Sequence, residues 1–448
     1  MSSVLVTVDS LRPDHLGQYG YARDTFPALD VLLDNGGTLY TNAFANGTHS
    51  AESIPSFLRS RYQPSLDDDE PSLAGVLENA GIPTAAIHSN TVYDELVGAE
   101  TGDFSTYQYL TGGDSVRSDP PLRKRLFRGM MDLIRPTVER LGIRKQAERV
   151  QQAIFSSELI HTQSEYTRAS TITEEAIRWI DSVDGEFFLW VHYMDPHRPY
   201  GVSEDEFAYG ELPDHEESHR LMSKAGLRPK TVTDADIDRM RDWYDSDIRY
   251  TSHHVRTLFD HLLSEVDEDV SVVFTADHGD EFGEHGAFFH RNRPYDELIH
   301  VPLVSLNLGN DEDVVTEQRE LVDVAPSVCE RHGIEPSSRF QGTPLTHTDP
   351  RRVLATGSFL NGVPVRAGRW DGWKYIQSSE EEFYDLANDG AESNNLFESR
   401  WDDAERYRDQ VTRRLEEREE LSVGGEDVDE ETKERLAQLG YLDDDVVE

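Results

Sequence analysis

The strongest constraint on this chain is how its apolar runs end. Residues 3–9 are apolar and β-branched up to Asp9-Ser10, and Thr84–His88 runs into Ser89-Asn90. Phe187–His192 runs into a polar stretch that closes at His197, and Val270–Thr275 runs into Asp277-His278. Runs that are apolar on both faces are strands buried on both faces, as in parallel sheets covered by helices. Helical stretches fall between them, at Ala28–Asp34, Ile54–Arg59 and Ser164–Asp181. The alternation predicts an α/β fold with a mostly parallel central sheet flanked by helices. Ligands of such sheets bind beyond the carboxyl ends of the strands, so four ends that carry Asp, His, Ser and Asn mark the candidate site.

The texture changes near residue 351. Val353–Thr356, Val363–Ala367, Trp373–Gln377 and Glu382–Tyr384 read as short strands, followed by a charged helix over Trp401–Arg418 and an acidic tail. The expected organisation is a catalytic domain over 1–350 and a C-terminal subdomain over 351–448, built of a small antiparallel sheet, a helix and the tail. A helical insertion near 110–170 interrupts the first part, and within it Arg117–Arg149 carries ten basic against four acidic residues. Either it packs as an amphipathic surface element on an acidic body, or it docks an anionic substrate or surface.

Composition excludes several classes. Acidic residues number 87 against 43 basic ones, a net charge of −44 that repels a nucleic-acid backbone. Acid spread along the chain and only six lysines point to a halophilic protein, dispersed in concentrated salt where the Debye length is about 3 Å. No apolar run reaches the roughly 18–20 residues that make a transmembrane segment, and the first strand starts too early for a signal peptide. The lone Cys329, in an apolar helical stretch, excludes an internal disulfide and a cysteine metal cluster. The expected location is cytoplasmic, with oligomeric state left open.

Two carboxylates and an imidazole at neighbouring strand ends, Asp9 and Asp277-His278, make a mixed oxygen and nitrogen site for a divalent metal. The competing reading is a surface ion pair. Mn²⁺ or Zn²⁺ suits that donor set better than Ca²⁺, which favours all-oxygen cages. The segment Asn46–Ser56 (NGTHSAESIPS) places several hydroxyls before a helix. Each is either an N-cap or, beside a metal, a nucleophile towards a phosphoryl or sulfuryl centre. His192, Asp195 and His290 could complete a second metal site, with His192 read alternatively as a packed core residue. Asn90 either lines the pocket or caps a turn.

Several longer motifs occur in one order: VLVTVDSLRPDHLGQYGY (Val4–Tyr21), FFLWVHYMDPHRPY (Phe187–Tyr200), TADHGDEFGEHG (Thr275–Gly286), YDELIHVP (Tyr295–Pro302), WDGWKYI (Trp370–Ile376) and FYDLANDGAESNNL (Phe383–Leu396). Together they resemble the sulfatases and related hydrolases of the alkaline phosphatase superfamily, over almost the whole chain apart from the insertion and the tail. The resemblance implies an alkaline-phosphatase-like fold and makes Asp9, Asp277 and His278 metal ligands. Counted back from Ser60-Arg61-Tyr62, it puts the nucleophile, a further metal ligand, at Ser50, with Thr48 as the fallback. It makes His197 the general acid on the leaving group. His290 and Arg291, together with Asn90 and Ser10, are expected against the substrate.

The departures from the family pattern matter as much. Many sulfatases convert a Cys or Ser in a C/S-x-P-x-R motif to formylglycine. Ser50-Ala51-Glu52-Ser53-Ile54 lacks that Pro and that Arg, so an unmodified serine is expected and formylglycine is not. Ser10 replaces the second Asp of the usual pair and His278 stands for an Asn, which lowers the oxygen count and leans towards phosphatases and phosphodiesterases. The expected activity is metal-dependent hydrolysis of a small anionic sulfate or phosphate ester, phosphoesters slightly preferred, with Mn²⁺ or Zn²⁺ favoured over Ca²⁺ or Mg²⁺. Transfer to an alcohol acceptor, and anion or glycan binding without turnover, are the competing readings.

Overall fold

The computed structural model describes residues 1–62, 71–96, 104–110, 166–201, 207–266, 269–310, 312–347, 352–357, 365–378 and 380–419. The basic stretch of the expected insertion and the acidic tail lie outside the described residues. The strands in chain order are β1 (Ser3–Val8), β2 (Thr38–Phe44), β3 (Thr84–His88), β4 (Thr106–Tyr109), β5 (Phe188–Tyr193), β6 (Ser271–Ala276), β7 (Glu281–Phe282), β8 (Phe288–Phe289), β9 (His300–Leu306), β10 (Val314–Val315) and β11 (Arg319–Glu320). One nine-stranded sheet runs β10-β2-β9-β6-β1-β5-β3-β4, with β11 also on β2. From β6 to β4 every pairing is parallel, and β9 enters antiparallel between β2 and β6.

Every residue of β1, β3, β5 and β6 is buried, so both faces had to be apolar. Each large side chain so buried contributes roughly 1.5–3 kcal/mol. Helix Asp234–His261, opened by a capping box between Thr233 and Asp236, packs against helices Ala28–Asp34 and Ala169–Ile180. Helices Ser50–Arg59, Leu73–Asn79 and Val324–Arg331 pack against one another, and Cys329 in the last of them is buried. The strand register decides the site. Val8 lies level with Tyr193 and Ala276, so Asp9 and Asp277 leave neighbouring strands at one height.

The C-terminal part holds a four-stranded antiparallel sheet in the order β12 (Val353–Gly357), β13 (Val365–Trp370), β14 (Trp373–Gln377) and β15 (Glu381–Asp385), with helix Trp401–Glu419 against β13 and β14. It shares a core with the main sheet: Phe44, Tyr295, Leu298 and Ile299 pack with Val353, Ala355, Val365, Ala367 and Ile376. Lys374 is fully buried in that junction, 2.8 Å from Asp296 Oδ1 and 2.7 Å from Glu392 Oε1. Burial opposes charge on Asp296, yet Lys374 and Arg369 hold its carboxyl well below the usual range. Burial, with Asp296 adding to it against Lys374, pushes Glu392 up to about 7. Lys374→Met leaves Glu392 without its cation and Asp296 with Arg369 alone. It is expected to cost about 3–5 kcal/mol, read as a lowered urea midpoint. A midpoint unchanged from the wild type would refute this account of the junction.

Candidate active site

Asp9 is the first residue past β1, and Ser10 turns the chain there in the left-handed region at φ 58°. The Ser10 hydroxyl donates to Asp9 Oδ1 at 2.7 Å, and its amide donates to Asp277 Oδ1 at 3.2 Å. The His278 amide also donates to Asp277 Oδ1, at 2.9 Å. With the outer oxygens tied, both Oδ2 atoms turn to one hydroxyl: Ser50 Oγ lies 3.0 Å from Asp9 Oδ2 and 2.8 Å from Asp277 Oδ2. A hydroxyl has one proton, so it satisfies one carboxylate at a time. Ser50 is the first residue of helix Ser50–Arg59 and follows an extended His49, while Ser53 Oγ donates to Asp277 O at 2.6 Å. Thr48, the fallback, instead pairs with Glu52 Oε2 at 3.3 Å and His49 Nδ1 at 3.0 Å.

Two imidazoles complete the cluster. His278 Nδ1 donates to Gly279 O at 2.8 Å, which turns Nε2 towards Ser50 Oγ (3.5 Å) and Asp277 Oδ2 (3.6 Å). A Cβ at Gly279 would lie 2.1 Å from Glu297 O, so this turn admits only glycine. His192 sits level with Thr7 in the register, its Nδ1 2.8 Å from Thr7 Oγ1, which also accepts from Trp190 Nε1 at 2.9 Å. Its Nε2 faces Asp9 Oδ2 at 3.7 Å and Asn90 Nδ2 at 3.3 Å. Asn90 Nδ2 donates to Asp9 Oδ2 at 3.4 Å, and its Oδ1 caps the following turn by accepting the Tyr93 amide at 2.9 Å.

Burial opposes charge on Asp9, but His197, His192 and His278 hold its carboxyl below the usual range. Burial and the charge of Asp9 push Asp277 up, and both carboxylates raise His278 against its own burial. Ligand atoms of Asp9, His192 and Asp277 lie within 4.8 Å of one another, all buried. Two carboxylates and inward-facing ring nitrogens form the donor set of a divalent cation with mixed ligands. The residues present therefore fit a metal. Asp195, read as a second-metal candidate, instead faces Arg168 at 3.2 Å and takes the Ala169 amide.

The rim holds His197, His290 and His49. His197 Nδ1 donates to Arg198 O at 2.7 Å. The His290 ring lies 4.7 Å from that of His278, 5.2 Å from His197 and 5.6 Å from His49, and its Nδ1 is 3.2 Å from Asp280 Oδ1. Burial lowers His197 to about 4 against the pull of Asp9, and burial with the neighbouring cations lowers His290. Arg291 is half-buried; its charge falls on Glu281, and among the described residues no side-chain hydrogen bond or ion pair joins it to the cluster. Thr7, whose role comes from register, carries no signal in the sequence, and Arg198 is visible there only as a charged residue beside a motif histidine. Glu281 is likewise unmarked in sequence, yet it is buried with no hydrogen-bond partner for either carboxyl oxygen among the described residues.

A family model described as Sulfatase matches residues 3–334. The chain is 27% identical over 239 residues to a choline-sulfatase of Rhizobium meliloti, covering 47% of this chain and 46% of that one. It is 26% identical over 211 residues to a low-salt glycan biosynthesis sulfotransferase of Haloferax volcanii, covering 43% and 47%. The chain thus spans about half the length of the curated relatives it matches. The crystal structure of the phosphonate monoester hydrolase of Agrobacterium radiobacter superposes with a TM-score of 0.65 at 18% identity, covering 94% of this chain and 96% of that one. That likeness is one of fold.

Glu281 gives this segment a measurable signature. Burial first, then Glu284 and Glu297, push its carboxyl to about 8 from an ordinary 4.5, against the charge of His285. Between those values the folded chain keeps a proton that the unfolded chain has lost. The stability tied to this group is therefore full below the unfolded value and is lost as pH rises through 8. Glu281→Gln is expected to exceed the wild type by about 2–4 kcal/mol at alkaline pH and to converge with it in mild acid, in urea unfolding at both. A difference that ignores pH would sink this account.

Proposed function

The chain belongs to the sulfatase family, and from that premise we propose that it is a metal-dependent hydrolase of small anionic sulfate or phosphate esters with Ser50 as nucleophile. The observation that carries the reading is the Ser50 hydroxyl shared between Asp9 Oδ2 and Asp277 Oδ2 at a helix start. The helix N-terminus favours negative charge on Oγ. Asp9, Asp277 and the Nε2 atoms of His278 and His192 would hold a divalent cation, Mn²⁺ or Zn²⁺ by donor type. Bound there, it supplies positive charge that favours the alkoxide and neutralises ester oxygens.

The hydroxyl proton already points at the carboxylate pair, which accepts it as Oγ attacks sulfur or phosphorus in line with the departing oxygen. His197, oriented by its bond to Arg198 O, donates from Nε2 to that oxygen. Burial keeps the ring neutral until an anionic ester arrives, whose charge favours the imidazolium. His290 lines the path of the transferred group. Water then cleaves the Ser50 ester. Phosphoesters are slightly preferred on the low oxygen count of the metal site. The same reading includes a halophilic, cytoplasmic setting and a catalytic part over 1–350. A second reading, transfer to an alcohol in place of water, is favoured by the Haloferax relative's description as a sulfotransferase and by the full burial of Ser50, which limits water.

Ser50→Ala is expected to lower kcat for aryl sulfates or aryl phosphates by more than about 10³-fold. Chelation should abolish turnover, with Mn²⁺ or Zn²⁺ restoring more than Ca²⁺. Intact-mass analysis should find unmodified Ser50; a chain lighter by two hydrogens would mean formylglycine and overturn the alkoxide. His197→Gln should cost about 10²–10⁴-fold on esters of poorly acidic alcohols and little on 4-nitrophenyl esters. Equal losses on both would remove the general-acid role.

A further inference from the structure

We propose that Arg198 binds an oxyanion on the alcohol portion of the ester, so that the substrate carries a second negative charge beside the group transferred. This deepens, and rests on, the assignment of Ser50 and His197 above. In a chain with 87 acidic residues, the Arg198 guanidinium makes no hydrogen bond or ion pair with any described residue, and its Nε is buried without a partner. A buried donor left unmade is costly, so such a group is expected to meet a ligand. Its position is fixed from two sides. Its carbonyl takes the His197 Nδ1 proton at 2.7 Å, and its Cζ lies 4.8 Å over the ring of Phe289, the residue before His290.

The guanidinium therefore stands at the same rim as the His197–His290 ring pair, and its charge is felt by both rings and by Asp280. In-line displacement puts Ser50 and the departing oxygen on opposite sides of the reacting centre. A cation joined to the residue that protonates the departing oxygen meets the alcohol, not the transferred group. A planar fork of N–H donors there matches a carboxylate bidentately. Arg291, expected from sequence to grip an anion, lies within electrostatic reach of Glu281.

The test compares aryl sulfates and aryl phosphates that carry a ring carboxylate with their ring carboxamide isosteres, on full-length wild type, Arg198→Gln and Arg198→Lys. The wild type should favour the carboxylate by about 10–100-fold in kcat/KM, the Gln variant should lose that preference, and Lys should restore part of it. A wild type without preference overturns the proposal. So does an Arg198→Gln variant that loses both esters equally, since that assigns the arginine to the transferred group. Turnover of neither ester fails the reaction proposed above, and calorimetric titration of the same compounds then decides Arg198 alone. Tighter carboxylate binding lost in Arg198→Gln supports the proposal, and equal binding overturns it.

Discussion

Asp9 and Asp277 leave adjacent parallel strands at one level, both fully buried, and both turn an oxygen to the hydroxyl of Ser50. Two like charges at such range repel by about 4 kcal/mol even at an effective dielectric of 20, so the surroundings must answer for them. They do so in layers. The Ser10 hydroxyl and the amides of Ser10 and His278 bind the outer oxygens, while His192 and His278 turn ring nitrogens to the inner ones. The same cluster that is awkward without a cation suits one, and a helix start directed at Ser50 extends the positive field to the group that would react.

The C-terminal sheet takes part in this arrangement through the loop before Ser50. Thr356 on β12 donates its amide to Asn46 O at 3.0 Å, and Gly47 bridges Thr356 in parallel. Asn46 Nδ2 reaches Leu354 O at 2.7 Å and Glu320 Oε1 at 3.0 Å. The loop before Ser50 is thus strapped to an edge strand of the second sheet, whose junction is closed by buried Lys374 between two carboxylates. The backbone before Ser50 is held partly by residues some three hundred positions away in sequence, so a small sheet outside the main one helps to position this hydroxyl.

An acidic body shapes what a cation without a carboxylate partner can do. With 87 acidic residues in the chain, many arginines in the described parts find a carboxylate: Arg12 pairs with Asp14 and Glu284, and Arg23 with Asp242 and Asp245. Against that background, a guanidinium held over an aromatic ring beside His197 and His290, with no ion pair to a described carboxylate, is a feature of the site. Long-range steering of any anion towards such a surface is poor at low salt and improves as the Debye length shortens.

Buried strands and the residues at their ends were legible in the apolar pattern alone. β1, β3, β5 and β6 were legible because both faces are covered, which forces a continuous apolar run, and Asp9, Asp277 and His278 were legible because they end such runs. β9 was not read, since Pro302 interrupts its pattern and it pairs antiparallel inside a parallel sheet. Helix Ser50–Arg59 starts a turn earlier than read, because its hydroxyl-rich first turn has no apolar period. That His192 faces Asp9, that Thr48 turns to Glu52, and that Arg198 makes no ion pair with a described residue while Arg291 lies near Glu281 emerges from packing alone. Separation explains the difference: burial leaves its mark on each residue's own type. Which lone pairs and charges meet is set by contacts such as those of Ser50, made 41 and 227 residues along the chain.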